Sequence, residues 1–242
     1  MTAVRLSDGS CGVSSTFVND HQHFIKSERD YGDFTPLKIK GHKISDLFES
    51  KKESGVITTL RIACLNAISS KIISSGNYKI IENCDPIDLV DLNTLKTITI
   101  VGAFQSYISM ISATNNRLYV LELNETALNE KHKQFYVPAN DYKKVLPDSD
   151  VVIITGLTLV NNTIDNLLSA IPEKAFVIVV GPSGSTIPDI LFENKVNIIG
   201  ATRITKPDIL FDLIGEGGGG YHLFEYCAQK ICIIRDYEAG IE

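Results

Sequence analysis

The chain lacks most of the features that assign a function at sight. It has no excess of positive charge: 23 Lys and Arg against 29 Asp and Glu leave a formal net charge of −6. A nucleic-acid or anionic-membrane partner is therefore not expected. No apolar run approaches the roughly 18 residues of a membrane span. The opening residues, MTAVRLSDGS, hold no apolar signal core, so the cytoplasm is the expected compartment. Five cysteines, Cys11, Cys64, Cys84, Cys227 and Cys232, include no Cys-x-x-Cys pair. They read as small buried hydrophobes rather than as a disulfide frame or a metal knuckle.

Chemical motifs are missing too. There is no G-x-S-x-G elbow, no H-E-x-x-H, no Walker lysine after a glycine loop and no G-x-G-x-x-G. Nucleophile triads, zincin chemistry and the usual nucleotide loops are thereby unsupported. His21-x-His23 is the only close histidine pair. Alternate strand residues share a face, yet with no third ligand at metal spacing a solvent-facing turn pair is the better reading.

What is present is an ordinary globular composition, 44% hydrophobic and 21% charged over 242 residues. Such a chain makes one large domain or two modest ones and buries roughly three quarters of its unfolded surface. Strands are expected at residues 4–6, 11–18 and around 23–25, with Asp8-Gly9 as a hairpin turn. A loop, a short helix at 47–50 and a long helix at 53–75 follow. Val56, Leu60, Ala63 and Ala67, flanked by Ile57, Cys64, Ile68 and Ile72, make that helix apolar on most sides, so it should be buried on most sides. Asn66 is a polar exception within it. It is either a satisfied core amide or a ligand contact at a domain boundary. Residues 78–91 read as a connector, which gives a small α+β domain at 1–92 and a second domain at 93–242.

In the second domain strands at 97–101, 118–121, 151–154, 176–180, 196–199 and 231–234 alternate with helical patterns. This is the signature of an α/β fold with a mainly parallel, helix-covered sheet. The stretch VVIITGLTLVNNT at 151–163 is its centre: a strand apolar on both faces, a glycine turn, then Asn161, Asn162 and Thr163 as helix caps. Three strands stop at glycine, at Gly102, Thr155-Gly156 and Gly181. Those turns should share the carboxyl edge, where open sheets bind ligands. Gly181-Pro182-Ser183-Gly184-Ser185-Thr186 looks like an anion loop. Glu122, 20 positions after Gly102, suits a ribose diol or is an exposed strand-end acid. Glu216 and the glycines at 217–220 read as a mobile loop, closing over a ligand or simply on the surface.

Asp150 with VVIITGLTLVNNT, then VIVVGPSGS and LRIACLNAIS, resemble an uncharacterised prokaryotic family labelled a heavy-metal chelation domain. Asp150, Thr155, Gly156, Thr158, Val160, Asn161, Thr163, Gly181, Pro182 and Ser183 carry the match, while Leu157 and Asn162 depart from it. The resemblance implies an enolase N-terminal-like domain followed by a Rossmann-like domain, with a site between them. Asn66, Gly102, Glu122, Thr155, Gly156, Thr158, Asn161, Gly181, Pro182 and Ser183 are the expected ligand-binding residues; no catalytic or metal-ligating residue is assigned. The expected function is binding or processing of a small metal-chelating or anionic ligand. A nucleotide-using enzyme and a non-catalytic ligand sensor stand beside it. The cofactor candidates are a metal ion and a nucleotide-like ligand, the expected partner is a small molecule, and homo-oligomerisation stays open.

Overall fold

The computed structural model describes residues 1–16 and 31–236. The expected strand at 23–25 and the His21-x-His23 pair lie outside those residues. Strands β1 (Thr2–Arg5) and β2 (Cys11–Ser14) form the antiparallel hairpin expected around Asp8-Gly9, with Gly9 at φ +88°. Helices α1 (Ile44–Glu49) and α2 (Gly55–Ser75) follow. The Ser54 side chain caps α2 by accepting from the Ile57 N–H at 3.2 Å, which ties up one of the orphan donors of its first turn.

The hairpin is packed on both faces. Cys11 and Val13 join a cluster with Leu210, Leu223 and Cys227. The alternate residue Gly12 lies on the backbone of α2, where a Cβ would stand 2.2 Å from the Ala67 nitrogen and 2.3 Å from the Ala63 carbonyl oxygen. Only glycine allows that approach. Helix α2 is apolar and long enough that length and composition alone would admit a membrane span. In the fold it buries Ile57, Leu60, Ala63, Cys64, Ala67 and Ile73, but Leu65 and Ile72 are exposed. Burial on most sides thus becomes burial on one broad side.

The rest of the chain builds one eight-stranded sheet. In chain order come β3 (Lys79–Glu82), β4 (Thr97–Val101), α3 (Gln105–Ser112), β5 (Arg117–Glu122), β6 (Tyr136–Pro138), α4 (Tyr142–Val145) and β7 (Val151–Thr155). Then follow α5 (Leu157–Val160), α6 (Ile164–Ala170), β8 (Phe176–Val180), α7 (Asp189–Glu193), β9 (Val196–Ile204), α8 (Pro207–Gly215), α9 (Gly220–Tyr226) and β10 (Ala228–Ile234). The sheet order is β3-β10-β9-β8-β7-β4-β5-β6. Its six strands from β9 to β6 are parallel, and β10 and β3 add antiparallel pairings. The fold is therefore mixed α/β with a mainly parallel sheet. Every central strand is buried on both faces: Val101, Val152, Ile154 and Val179 face one cluster, and Ile100, Val151, Ile153 and Ile178 the other.

Several elements differ from the sequence reading. Strand β3, inside the segment read as a connector, pairs with β10, so the sheet reaches back into residues assigned to the first domain. Helix α9 occupies the region read as a glycine-rich loop. Gly217, at φ +85°, ends α8 with its N–H on the Ile214 carbonyl at 3.0 Å. The Gly219 N–H donates to Nδ1 of His222. The glycines terminate one helix and start the next.

Gly12→Val should destabilise the protein by roughly 1–3 kcal/mol or more, because the added carbons overlap α2 backbone that cannot yield like a side chain. Urea unfolding followed by circular dichroism measures it. A midpoint equal to that of the parent protein would show that the hairpin does not need this contact.

Candidate functional site

The sheet reverses direction of growth between β4 and β7. Strands β5 and β6 were added on one side, and β8 and β9 on the other. The connections leave to opposite faces there and open a crevice at the carboxyl ends. A cavity of about 600 Å³ occupies that crevice, within the size range of small-molecule sites. Its walls come from the β4 turn (Gly102, Ala103, Phe104), the β5 end (Glu122, Leu123), the β6–α4 corner (Ala139, Tyr142) and the β7–α6 stretch (Thr155, Thr158, Asn161, Asn166).

Each wall has a local cause. Gly102 takes φ +103°, and a Cβ on it would lie 3.2 Å from Thr155 Cβ and Cγ2, so glycine lets β4 and β7 end side by side. Glu122 Oε1 accepts from the Leu123 N–H at 2.7 Å and from the Asn124 N–H at 3.3 Å. Those bonds fix the carboxylate against its own loop and leave Oε2 without a hydrogen bond among the described residues. Thr155 Oγ1 accepts from the Leu157 N–H at 3.3 Å, and the buried Thr158 hydroxyl donates to the Thr155 carbonyl at 2.7 Å. Asn161 Oδ1 accepts from the Thr163 hydroxyl at 2.6 Å. Asn161 is thus no helix N-cap. It closes the short helix α5 with its N–H on the Leu157 carbonyl, and Asn162 turns the chain at φ +56°, a conformation asparagine tolerates.

The apolar wall is held from behind. The Phe104 ring stacks on Tyr107 with centroids 5.5 Å apart. The Tyr107 hydroxyl donates to Asp85, whose other oxygen lies 2.6 Å from Lys230 Nζ. Burial, then the Asp85 hydrogen bond, push the Tyr107 phenol well above its ordinary range, so it remains a proton donor throughout the physiological range.

The ten expected site residues separate into two places. Gly102, Glu122, Thr155, Thr158 and Asn161 line the cavity. Gly156 does not: a Cβ there would lie 2.3 Å from the Gly184 nitrogen, so this glycine serves the packing of two turns. Gly181, at φ +111°, receives the Gly184 N–H on its carbonyl. Pro182, Ser183 and Asn66 form a latch between α2 and that turn. Asn66 Nδ2 faces the carbonyls of Val13 at 2.8 Å, Pro182 at 3.1 Å and Ser183 at 3.2 Å. The Ser183 hydroxyl oxygen accepts from the Ser15 N–H at 2.9 Å and lies 3.1 Å from Ser14 Oγ. The loop read as an anion cradle is thus occupied by the protein's own groups. The glycines at 217–220 are likewise absent from the cavity wall.

Sequence reasoning missed Phe104, Leu123, Ala139, Tyr142 and Asn166. Leu123 had a signal, being the neighbour of Glu122 on the same strand end. Ala139 and Tyr142 had none, since their position depends on β6 pairing beside β5. Among the described residues the cavity lining contains no Lys, Arg or His and one carboxylate. The described residues contain no group of three or more His, Cys, Asp or Glu able to hold a metal, and all five cysteines are buried.

Residues 85–233 match the DUF364 family, described as "Putative heavy-metal chelation". The chain belongs to DUF364. Residues 1–69 match a second family, DUF4213, with the same description. An uncharacterised protein of Methanocaldococcus jannaschii is 28% identical over 200 residues, 81% of this chain and 71% of that protein. A DUF364 protein of unknown function from Pyrococcus horikoshii superposes with a TM-score of 0.74 at 20% identity, over 96% of this chain and 87% of that one. Another, from Desulfitobacterium hafniense, gives 0.63 at 20% identity over 79% and 72%. At that identity the two structures speak for the DUF364 fold.

Ser183→Ala removes the acceptor of the buried Ser15 N–H and should cost ~1–3 kcal/mol of stability. Asn66→Ala, which strands up to three carbonyls, should cost at least as much. Chemical denaturation gives both values. A stable Ser183→Ala protein that had lost ligand binding would return the 181–184 turn to the site.

Proposed function

We propose that this DUF364 protein binds a small, neutral, polar organic molecule in the cavity at the β4/β7 reversal, and that any metal it handles arrives bound to that molecule. The observation that carries the reading is the lining itself: one fixed carboxylate, a row of Thr and Asn groups and apolar walls, with no cationic side chain among the described residues. A phosphate-rich or carboxylate-rich ligand would enter without a counter-charge there.

The family description points to heavy metals, and the donor set is the test of a direct metal role. Soft metals want thiolates or imidazoles. Burial pushes the Cys64 thiol up to about 11 and raises those of Cys227 and Cys232 as well. Among the described residues the donors are too scattered to fit a bare ion. A chelating small molecule, or its complex, fits the family description better than protein-borne chelation.

The same reading takes the segment from 93 onward as Rossmann-like. Numbering its parallel strands in chain order gives the sheet order 3-2-1-4-5-6, the doubly wound arrangement that binds ligands at its reversal. The enolase-like reading of the N-terminal part draws on the hairpin followed by helices. A cytoplasmic location and a small-molecule partner belong to this proposal as well.

Ala103→Trp, at a half-buried position that lines the cavity, should fill it from the β4 turn. The expected outcome is an unchanged circular dichroism spectrum and loss of the small molecule that co-purifies with the parent protein, read by mass spectrometry of the native and denatured forms. Elemental analysis of the same samples should show metal falling with the organic ligand. Metal retained at full stoichiometry by the tryptophan variant would contradict the proposal.

A further inference from the structure

The cavity has a polarity that narrows the ligand class, and the argument rests on the cavity reading just given. At one end Glu122 is fixed by two backbone N–H bonds to Oε1, with Oε2 left to accept from a ligand. A carboxylate at the end of the strand next to the first one is placed to receive two vicinal hydroxyls. Beside it Leu123 is 71% exposed although it lines the cavity. Large leucines at the mouth of a site are covered when a flat apolar surface lies on them, and Ala139 and Tyr142 line the same cavity. Diol acceptor and apolar slot are adjacent.

The other end is unlike a dinucleotide site. In the glycine fingerprint the second glycine lets backbone reach a pyrophosphate, and the third lets the helix pack on the strand. Counting from Gly102, those places hold Phe104 and Tyr107. The Phe104 ring lies over the turn, 3.6 Å from where a Cβ on Gly102 would be. Tyr107 is buried and stacked on it. The turn that would cradle phosphates is covered by aromatic carbon, and among the described residues no cationic side chain lines the cavity. Beyond it stands a neutral donor, the Asn161 amide, whose Nδ2 has no partner among the described residues.

We infer that the ligand is a ribonucleoside or a nucleoside with an uncharged 5′ substituent, its ribose diol on Glu122 and its base between Leu123 and Tyr142. Isothermal titration tests this with the four common ribonucleosides, their 2′-deoxy counterparts and the matching 5′-diphosphates, on the parent protein, Glu122→Gln and Ala103→Trp. At least one ribonucleoside should bind, its 2′-deoxy form roughly ten-fold or more weaker. Glu122→Gln should erase that preference while the protein keeps its unfolding midpoint. The diphosphate should bind no better than the nucleoside. Equal affinity for ribo and deoxy forms, or a diphosphate ten-fold tighter, overturns the inference. If no nucleoside binds while Ala103→Trp still expels the co-purifying molecule, the nucleoside assignment fails and the cavity reading stands. If Ala103→Trp expels nothing, both fail.

Discussion

The molecule depends on the pairing of β4 with β7. These two strands are neighbours in the sheet, Ile98 against Val151 and Val101 against Ile154, although about fifty residues separate them. A parallel pair at that distance needs crossovers, and right-handed crossovers send the chain to opposite faces on the two sides of the pair. Both faces of β4 and β7 are therefore covered, which is why β7 opens on four consecutive Val and Ile residues and β4 alternates Thr with Ile before Val101. At the carboxyl end the covering elements part, and Gly102 and Thr155 meet at van der Waals distance. The crevice is a consequence of topology. What occupies its walls is the free choice of the sequence, and here that choice is one carboxylate, neutral polar groups and carbon.

The two halves of the chain are joined by a different kind of contact. Asn66 brings a primary amide to carbonyls from the hairpin and from the turn after β8. Its Oδ1 finds no hydrogen-bond partner among the described residues, so there the side chain is satisfied as a donor and not as an acceptor. Buried amides are tolerated when the groups they serve would otherwise be stranded. Gly12 seats the hairpin on α2 and Gly156 seats one turn on another, so close backbone packing and the amide hold one arrangement together. None of these groups lines the cavity. Residues that look like site residues because they are polar, small and near strand ends are here residues of assembly.

That explains how far the sequence could be read. Strands β4, β5, β7 and β8 were legible because strands buried on both faces carry an unmistakable apolar run. The carboxyl-edge position of Gly102, Glu122 and Thr155 followed from the alternation of elements. The internal partners of the turn at Gly181 were not legible, because Gly, Pro and Ser serve an anion and a tight protein contact equally well. Only the partners decide, and they lie more than a hundred residues away in Asn66 and Ser15. Strand β3 was missed because a short, mostly exposed edge strand has no two-sided apolar run. Helix α9 was missed because its glycines mask a helix start, and glycine is a weak helix former.

The lining of the cavity is the step that links fold to chemistry. Dinucleotide sheets stabilise pyrophosphate by backbone N–H groups at a glycine turn and the dipole of the following helix. Here the turn after β4 keeps its first glycine, which the β4–β7 contact demands, and replaces the other two by Phe104 and Tyr107. The aromatic pair is anchored through Asp85 to Lys230 on β10, so the anchor of the wall spans the sheet. Restoring phosphate binding would need Phe104 removed, and that removal would leave Tyr107 unstacked and a buried phenol bonded to a carboxylate beside a void. The same stacking and hydrogen bond support the packing of α3, which ties this wall of the cavity to the fold rather than to one side chain.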